Sequence, residues 1–251
     1  MSNAIGLGNG AVSGAAATPF SIGRTFGDTL TVFRQGFGKF FAVTAIAHIP
    51  LLIVGVVAAV IPGAEGAGTA ITTLVQLIVG PITAAACLFG AYQLMTRRSF
   101  TVGEAFSVAF SRFWAMLGVA LIGGVLTGVL SMLLIVPGII YACMIFVAQP
   151  VCVVERLGPN ASLRRSRELT KGYRWAIFGL FIFLFIVALL ASVGAVTVIT
   201  LLIGPVAGAV GQFVSEAFIG AFGAVLYAVA YSGLREAKEG VSVDELASVF
   251  D

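Results

Sequence analysis

The sequence predicts an all-α membrane protein: six transmembrane helices in three parallel helical-hairpin repeats, each preceded by a cytoplasmic amphipathic interfacial helix. Three observations predict it. First, 59% of the 251 residues are hydrophobic and only 10% are charged, with a mean hydropathy of +1.09, whereas soluble domains carry about 25% charged residues. Second, several apolar stretches exceed the roughly 20 residues that cross a bilayer as a helix. They are longer and more uniformly apolar than the alternating segments of about 10 residues that build a membrane barrel. Third, Pro/Gly turns recur roughly 70 residues apart, at Pro62-Gly63, Pro137-Gly138 and Gly204-Pro205. The 31 glycines suit close helix approach in lipid.

Residues 1–19 are rich in Gly, Ala, Ser and Asn and carry no charge, so they read as a disordered tail. The AAA at Ala15–Ala17 lacks the basic and apolar regions that a signal peptide places before its cleavage site. From Ser21 to Phe37, the residues Ile22, Phe26, Leu30, Phe33 and Phe37 fall on one helical stripe, with Arg24, Asp28 and Arg34 off it. This segment is expected as a surface helix, released by Gly36 and Gly38 from a first span over about Phe40–Ile61. A second span is expected over about Thr69–Met95, stopped by Arg97 and Arg98.

The device then repeats. Thr101 and Glu104 form a capping-box signature at a helix start. Val102, Ala105, Phe106, Ala109, Phe110 and Phe113 make an apolar stripe, and Arg112 and Trp114 suit an interface. A third span is expected over Trp114–Val136. A short fourth follows over about Ile139–Val154, in which Pro150 removes a backbone hydrogen bond. Asn160 reads as the N-cap of a basic helix. Spans five and six are expected over about Trp175–Ile203 and from Gly204-Pro205 to about Tyr231. Ser242 and Glu245 cap a short helix near the end. The domain plan is thus a tail (1–19), a membrane domain (20–232, with repeats of about 20–98, 99–158 and 159–232) and a cytoplasmic C-terminal tail (233–251).

All 14 basic residues fall at one end of the spans, and none lies in the three Pro/Gly turns. The positive-inside rule therefore places both termini and the surface helices in the cytoplasm. With a net charge of only +3, nucleic acid is not an expected partner. Cys87, Cys143 and Cys152 are isolated in apolar surroundings and read as small buried hydrophobes.

Three stretches carry a family resemblance: QPVCVVERLGP, the basic SLRRSRELTKGYRW, and the closing YSGLREAKEG. From about Phe20 to Asp251 the chain resembles bacterial multi-span proteins similar to the membrane domain of glycerophosphoryl diester phosphodiesterase. In some relatives such a domain precedes a soluble catalytic barrel, which relies on two histidines with acidic metal ligands. This chain has one histidine, His48, inside a span. The resemblance therefore implies no phosphodiesterase activity here, and no metal or cofactor is expected.

Two constellations are candidates for function. The first is the basic set Arg164, Arg165, Arg167, Lys171 and Arg174. Arg164, Arg167, Lys171 and Arg174 fall three, four and three residues apart on one helix face, with Leu163, Ser166, Leu169 and Tyr173 on another. They either bind anionic headgroups or a phosphorylated partner, at about 1 kcal/mol per charge, or only set topology. Glu168 can pair with Arg164 or Lys171. The second is the intramembrane polar set His48, Gln76, Gln149, Gln212 and Glu216. Glu216 lies about 16 Å from the outer end of its span. These residues form either a polar path for a proton, ion or small solute, or hydrogen-bonding glue between helices. Gly124-x-x-x-Gly128 and Gly204-x-x-x-Gly208 match a close-packing motif.

The sequence-based expectation is a non-enzymatic scaffold that organises membrane lipids, including anionic ones, or a membrane or cytoplasmic protein partner, through its basic rim. The alternative is a small-solute or ion transporter or channel built around Glu216.

Overall fold

The computed structural model describes residues 20–240, so the N-terminal tail and the helix expected after Ser242 lie outside the described residues. Helices α1 (Ile22–Val60), α2 (Glu65–Met95), α3 (Val102–Leu133), α4 (Ile135–Met144), α5 (Ala148–Val154), α6 (Pro159–Thr170), α7 (Arg174–Leu189), α8 (Val196–Ile203) and α9 (Pro205–Glu239) follow one another. A π-helical segment, Leu190–Ala195, joins α7 to α8. No strand occurs among the described residues. Six helical stretches are long and apolar enough to cross a membrane: Ile22–Val60, Gly66–Met95, Val102–Leu133, Ile135–Val154, Arg174–Ile203 and Pro205–Glu239.

The expected break between the first surface helix and its span is absent. α1 runs unbroken for 39 residues, roughly 58 Å at 1.5 Å per residue, well beyond the ~30 Å apolar core of a bilayer. A glycine costs a helix only about 0.5–1 kcal/mol, so Gly36 and Gly38 do not stop it. Gly36 is used for packing instead: a Cβ there would run into the Leu94 side chain of α2. α3 likewise absorbs the second surface helix, starting at the Thr101–Glu104 capping box, in which both reciprocal hydrogen bonds form. α9 continues through Glu239, past the expected start of the tail.

Span four shows the largest departure. The turn before it lies at Leu134, and Pro137-Gly138 sits inside α4. The helix then breaks at Ile145–Val147 and restarts as α5, with Pro150 in its first turn. Both prolines thus occupy first-turn positions, where a missing N–H is harmless. The break leaves the Met144 carbonyl without a helical partner, and α6 supplies one: the Ser166 and Thr170 hydroxyls donate to it at 3.0 and 3.2 Å. Gly123 lets α3 approach the break, since a Cβ there would lie 2.9 Å from Ile145.

α6 begins at Pro159 with Gly158 as its N-cap, so Asn160 is not the cap. Its buried face is Ser162, Leu163, Ser166, Leu169 and Thr170. Gly172, at φ +94°, ends the helical run, and α7 begins at Arg174. The basic residues therefore do not share one continuous helix face.

Packing is uneven along the spans. Phe40, Leu88, Tyr92, Met116, Leu226 and Tyr231 are fully buried near the basic end. At the opposite end, Met132, Ile135, Leu201 and Leu202 are between 71% and 92% exposed. The basic end of the bundle is densely packed, large apolar side chains stand exposed at the turn end, and a cleft lies between these regions.

Candidate functional site: an intramembrane polar cleft

Glu216 and Gln212 lie one turn apart on α9, and the Gln212 amide donates to Glu216 Oε1 at 2.7 Å. Facing them across an open-sided cleft of about 400 Å³ are His48 of α1, Gln76 of α2 and Gln149 of α5. All five polar residues singled out from the sequence thus line one space. Gln76 and Gln149 are 73 positions apart in the chain (149 − 76), so this convergence is a product of the fold. Leu184 and Ala188 of α7, Ser192 of the π-helical segment and Tyr227 of α9 complete the walls. Single π-helical turns inside α-helices recur at functional sites, and here one places a hydroxyl-bearing residue against the cleft.

The lining is rich in acceptors. His48 is buried, and its Nδ1 lies 2.8 Å from the Thr44 carbonyl. A carbonyl only accepts, so Nδ1 carries the proton, and a neutral His48 keeps a lone pair on Nε2. The Glu216 carboxylate only accepts, the Gln212 amide spends a donor on it and keeps its carbonyl, and the Gln76 and Gln149 amides offer both an acceptor and donors. Among the described residues, no Lys or Arg lines the cleft.

Thr83, also on the lining, is a residue that sequence reasoning missed. Threonines in membrane helices normally satisfy themselves by bonding the carbonyl four residues back, as Thr44, Thr96, Thr127 and Thr200 do. Thr83 Oγ1 has no hydrogen-bond partner among the described residues although the residue is only 4% exposed. A buried unsatisfied hydroxyl costs about 1–3 kcal/mol, a cost that a ligand in the cleft would remove.

Toward the basic end the cleft is sealed. Tyr92 and Tyr231 meet edge to face, 6.3 Å between centroids, and the Tyr92 hydroxyl donates to the Ala228 carbonyl at 3.3 Å. Beyond them lies an ion-pair network. Glu155 accepts from Arg165, from Arg235 and from the Tyr231 hydroxyl. Glu239 pairs with Arg165 and with Arg235, the latter at 2.7 Å. Burial opposes the Arg165 charge, but the Glu239 and Glu155 carboxylates outweigh it and hold its pKa above the ordinary arginine value. Glu155, Tyr231, Arg235 and Glu239 were not candidates from the sequence, although all four lie within the two outer stretches that carry the family resemblance.

The basic set is therefore divided. Arg165 is held inside this network. Arg167 donates to the Tyr141 hydroxyl at 3.1 Å and lies over that ring. Glu168 has its ion-pair contact with Arg165, at 4.0 Å, rather than with Arg164 or Lys171. Arg164 and Lys171 are exposed, and Arg174 is half-buried. The Nε atoms of Arg167 and Arg174 are shielded from solvent and have no hydrogen-bond partner.

Comparisons with family models, curated proteins and solved structures return no match.

Proposed function

We propose that this multi-pass membrane protein binds a small, donor-rich polar solute, an amine in particular, in the cleft around Glu216 and passes it across the membrane without chemical change. One observation carries the reading: five polar side chains from four helices, buried Thr83 beside them, line a single acceptor-rich space with one carboxylate and no cation. Helix glue would instead leave the amides paired across packed interfaces. Isolated polar groups in a span are costly and face a cavity when they serve transport. If the positive-inside rule sets the orientation, the cleft opens away from the cytoplasm and the Tyr92–Tyr231 layer is its inner seal. The test is uptake of labelled ethanolamine into proteoliposomes. Wild type should exceed empty vesicles, and Glu216→Gln should remove that excess. Equal uptake with and without the protein contradicts the reading.

A second reading keeps the basic rim as an anionic-lipid surface. The unpartnered, shielded Nε atoms of Arg167 and Arg174 favour it, because guanidinium groups grip phosphate oxygens in pairs. On this reading, a double Arg167→Gln/Arg174→Gln variant extracted into native-lipid discs retains less anionic lipid than wild type. Unchanged retention rejects it.

A further inference from the structure

The polar cleft shares part of its wall with a neighbouring space. A second cavity, of about 520 Å³, lies between α3, α4 and α7, and it shares Gln149 and Tyr227 with the first. The two spaces differ in chemistry. The second is lined almost wholly by apolar and small residues, among them Gly124, Gly128, Ala142 and Phe181. Gly124 and Gly128 belong to the motif expected to press two helices together. Nothing does so: a Cβ built on either meets no atom within 4 Å. The missing side chains leave a trough rather than a helix contact.

From this junction we infer that the ligand is a membrane-resident amphiphile: its primary-amine head sits in the polar cleft against Glu216, and its acyl tail lies in the glycine-lined trough. The inference rests on the solute-binding reading and deepens it. Three features select an amphiphile over a water-soluble amine. The trough adjoins the polar site at Gln149 and Tyr227, which line both spaces. It is apolar, as a tail requires. It also lies beside an outward face of α3, where Val125 and Val129 are 62% and 52% exposed, so a lipid can slide in sideways without leaving the bilayer. The head is assigned by complementarity. The Glu216 carboxylate, the His48 Nε2 lone pair and the unpartnered Thr83 hydroxyl can accept hydrogen bonds from an ammonium, and among the described residues no cation in the lining repels it. Gln149 sits at the join, where its amide meets the linkage between head and tail.

The test uses the full chain in lipid discs and a long-chain primary alkylamine carrying a diazirine in mid-chain. After illumination, peptides are mapped by mass spectrometry, and specific labelling is the part that excess ethanolamine displaces. Specific label is expected on α3 around Gly123–Gly128. It should fall at least tenfold in Glu216→Gln, which weakens the head site, and in Gly124→Leu, which fills the trough. Gly124→Ala, too small to fill it, should keep most of the label and controls for folding. Label on α3 that persists in Gly124→Leu, or that ethanolamine does not displace, overturns the inference. Ethanolamine binding to the wild-type protein is measured separately. If it is present while specific α3 label is absent, the solute reading stands and the amphiphile assignment falls. If it is absent, both fall.

Discussion

Gln212 and Glu216 are joined by a 2.7 Å hydrogen bond along one face of α9, and both line the same cleft as His48, Gln76 and Gln149. The bond orients the carboxylate while leaving Oε2 for a ligand. Hydrogen bonds to a charged group contribute about 1.5–3 kcal/mol, so Glu216→Gln should weaken ethanolamine binding roughly ten- to hundredfold. Gln212→Ala should weaken it less, because the charge stays and only its orientation relaxes. Isothermal titration in lipid discs checks both, and equal losses in the two variants contradict the assigned roles.

Ser166 and Thr170 both cap the Met144 carbonyl where span four breaks. Either hydroxyl alone satisfies that oxygen, so each single alanine variant should cost little. The double variant orphans it and should lose about 1–3 kcal/mol. Thermal unfolding in detergent measures the non-additivity, and strictly additive small losses argue against shared capping.

Arg165 hydrogen-bonds two carboxylates, Glu155 and Glu239, and lies 4.0 Å from a third, Glu168, whereas its neighbour Arg164 is exposed. Arg165→Ala should destabilise the fold by about 1–3 kcal/mol, below the roughly 3–5 kcal/mol of a fully buried broken pair because these groups keep some solvent contact. Arg164→Ala should fall within about 0.5 kcal/mol of wild type. A double-mutant cycle between Arg165 and Glu239 should show coupling, and none between Arg164 and Glu239.

Gly36 and Gly38 sit two residues apart on α1 with opposite surroundings. A Cβ at Gly36 would run into Leu94, while one at Gly38 meets nothing within 4 Å. Gly38→Ala should therefore be neutral or stabilising by up to about 1 kcal/mol through helix propensity. Gly36→Leu should be destabilising by about 1–3 kcal/mol through overpacking. Melting temperatures that move in the same direction for both would contradict the packing assigned to Gly36.

How much was legible in the sequence depended on how local the cause was. The long apolar runs and the capping box at Thr101 and Glu104 are local features, and they read correctly. The five intramembrane polar residues were legible as costly groups needing a reason, though only the fold brings Gln76 and Gln149 to one cleft. The turns at Pro62-Gly63 and Gly204-Pro205 fall at helix junctions as expected. The breaks at Gly36 and Gly38 and at Pro137-Gly138 were misplaced because glycine is a weak helix breaker in a packed bundle, and because Pro137, like Pro150, falls where a helix begins rather than ends. The Glu155–Arg165–Arg235–Glu239 network spans 84 positions (239 − 155), beyond any spacing rule. Thr83 was missed because a threonine in a span ordinarily satisfies its own hydroxyl, and nothing in its neighbours says that this one does not.

The central claim is that Thr83 faces a ligand-accessible cleft rather than a filled core. Thr83→Cys, treated in lipid discs with a water-soluble, membrane-impermeant maleimide, tests it most directly. Cys87, one turn further along α2, is fully buried and serves as the internal control, and Cys143 and Cys152 are buried as well. The account predicts that the Thr83→Cys variant is labelled, that wild type is not, and that ethanolamine slows the labelling. A Thr83→Cys variant as inert as Cys87 would mean that the space is closed to water and ligand, and the proposed site would be abandoned.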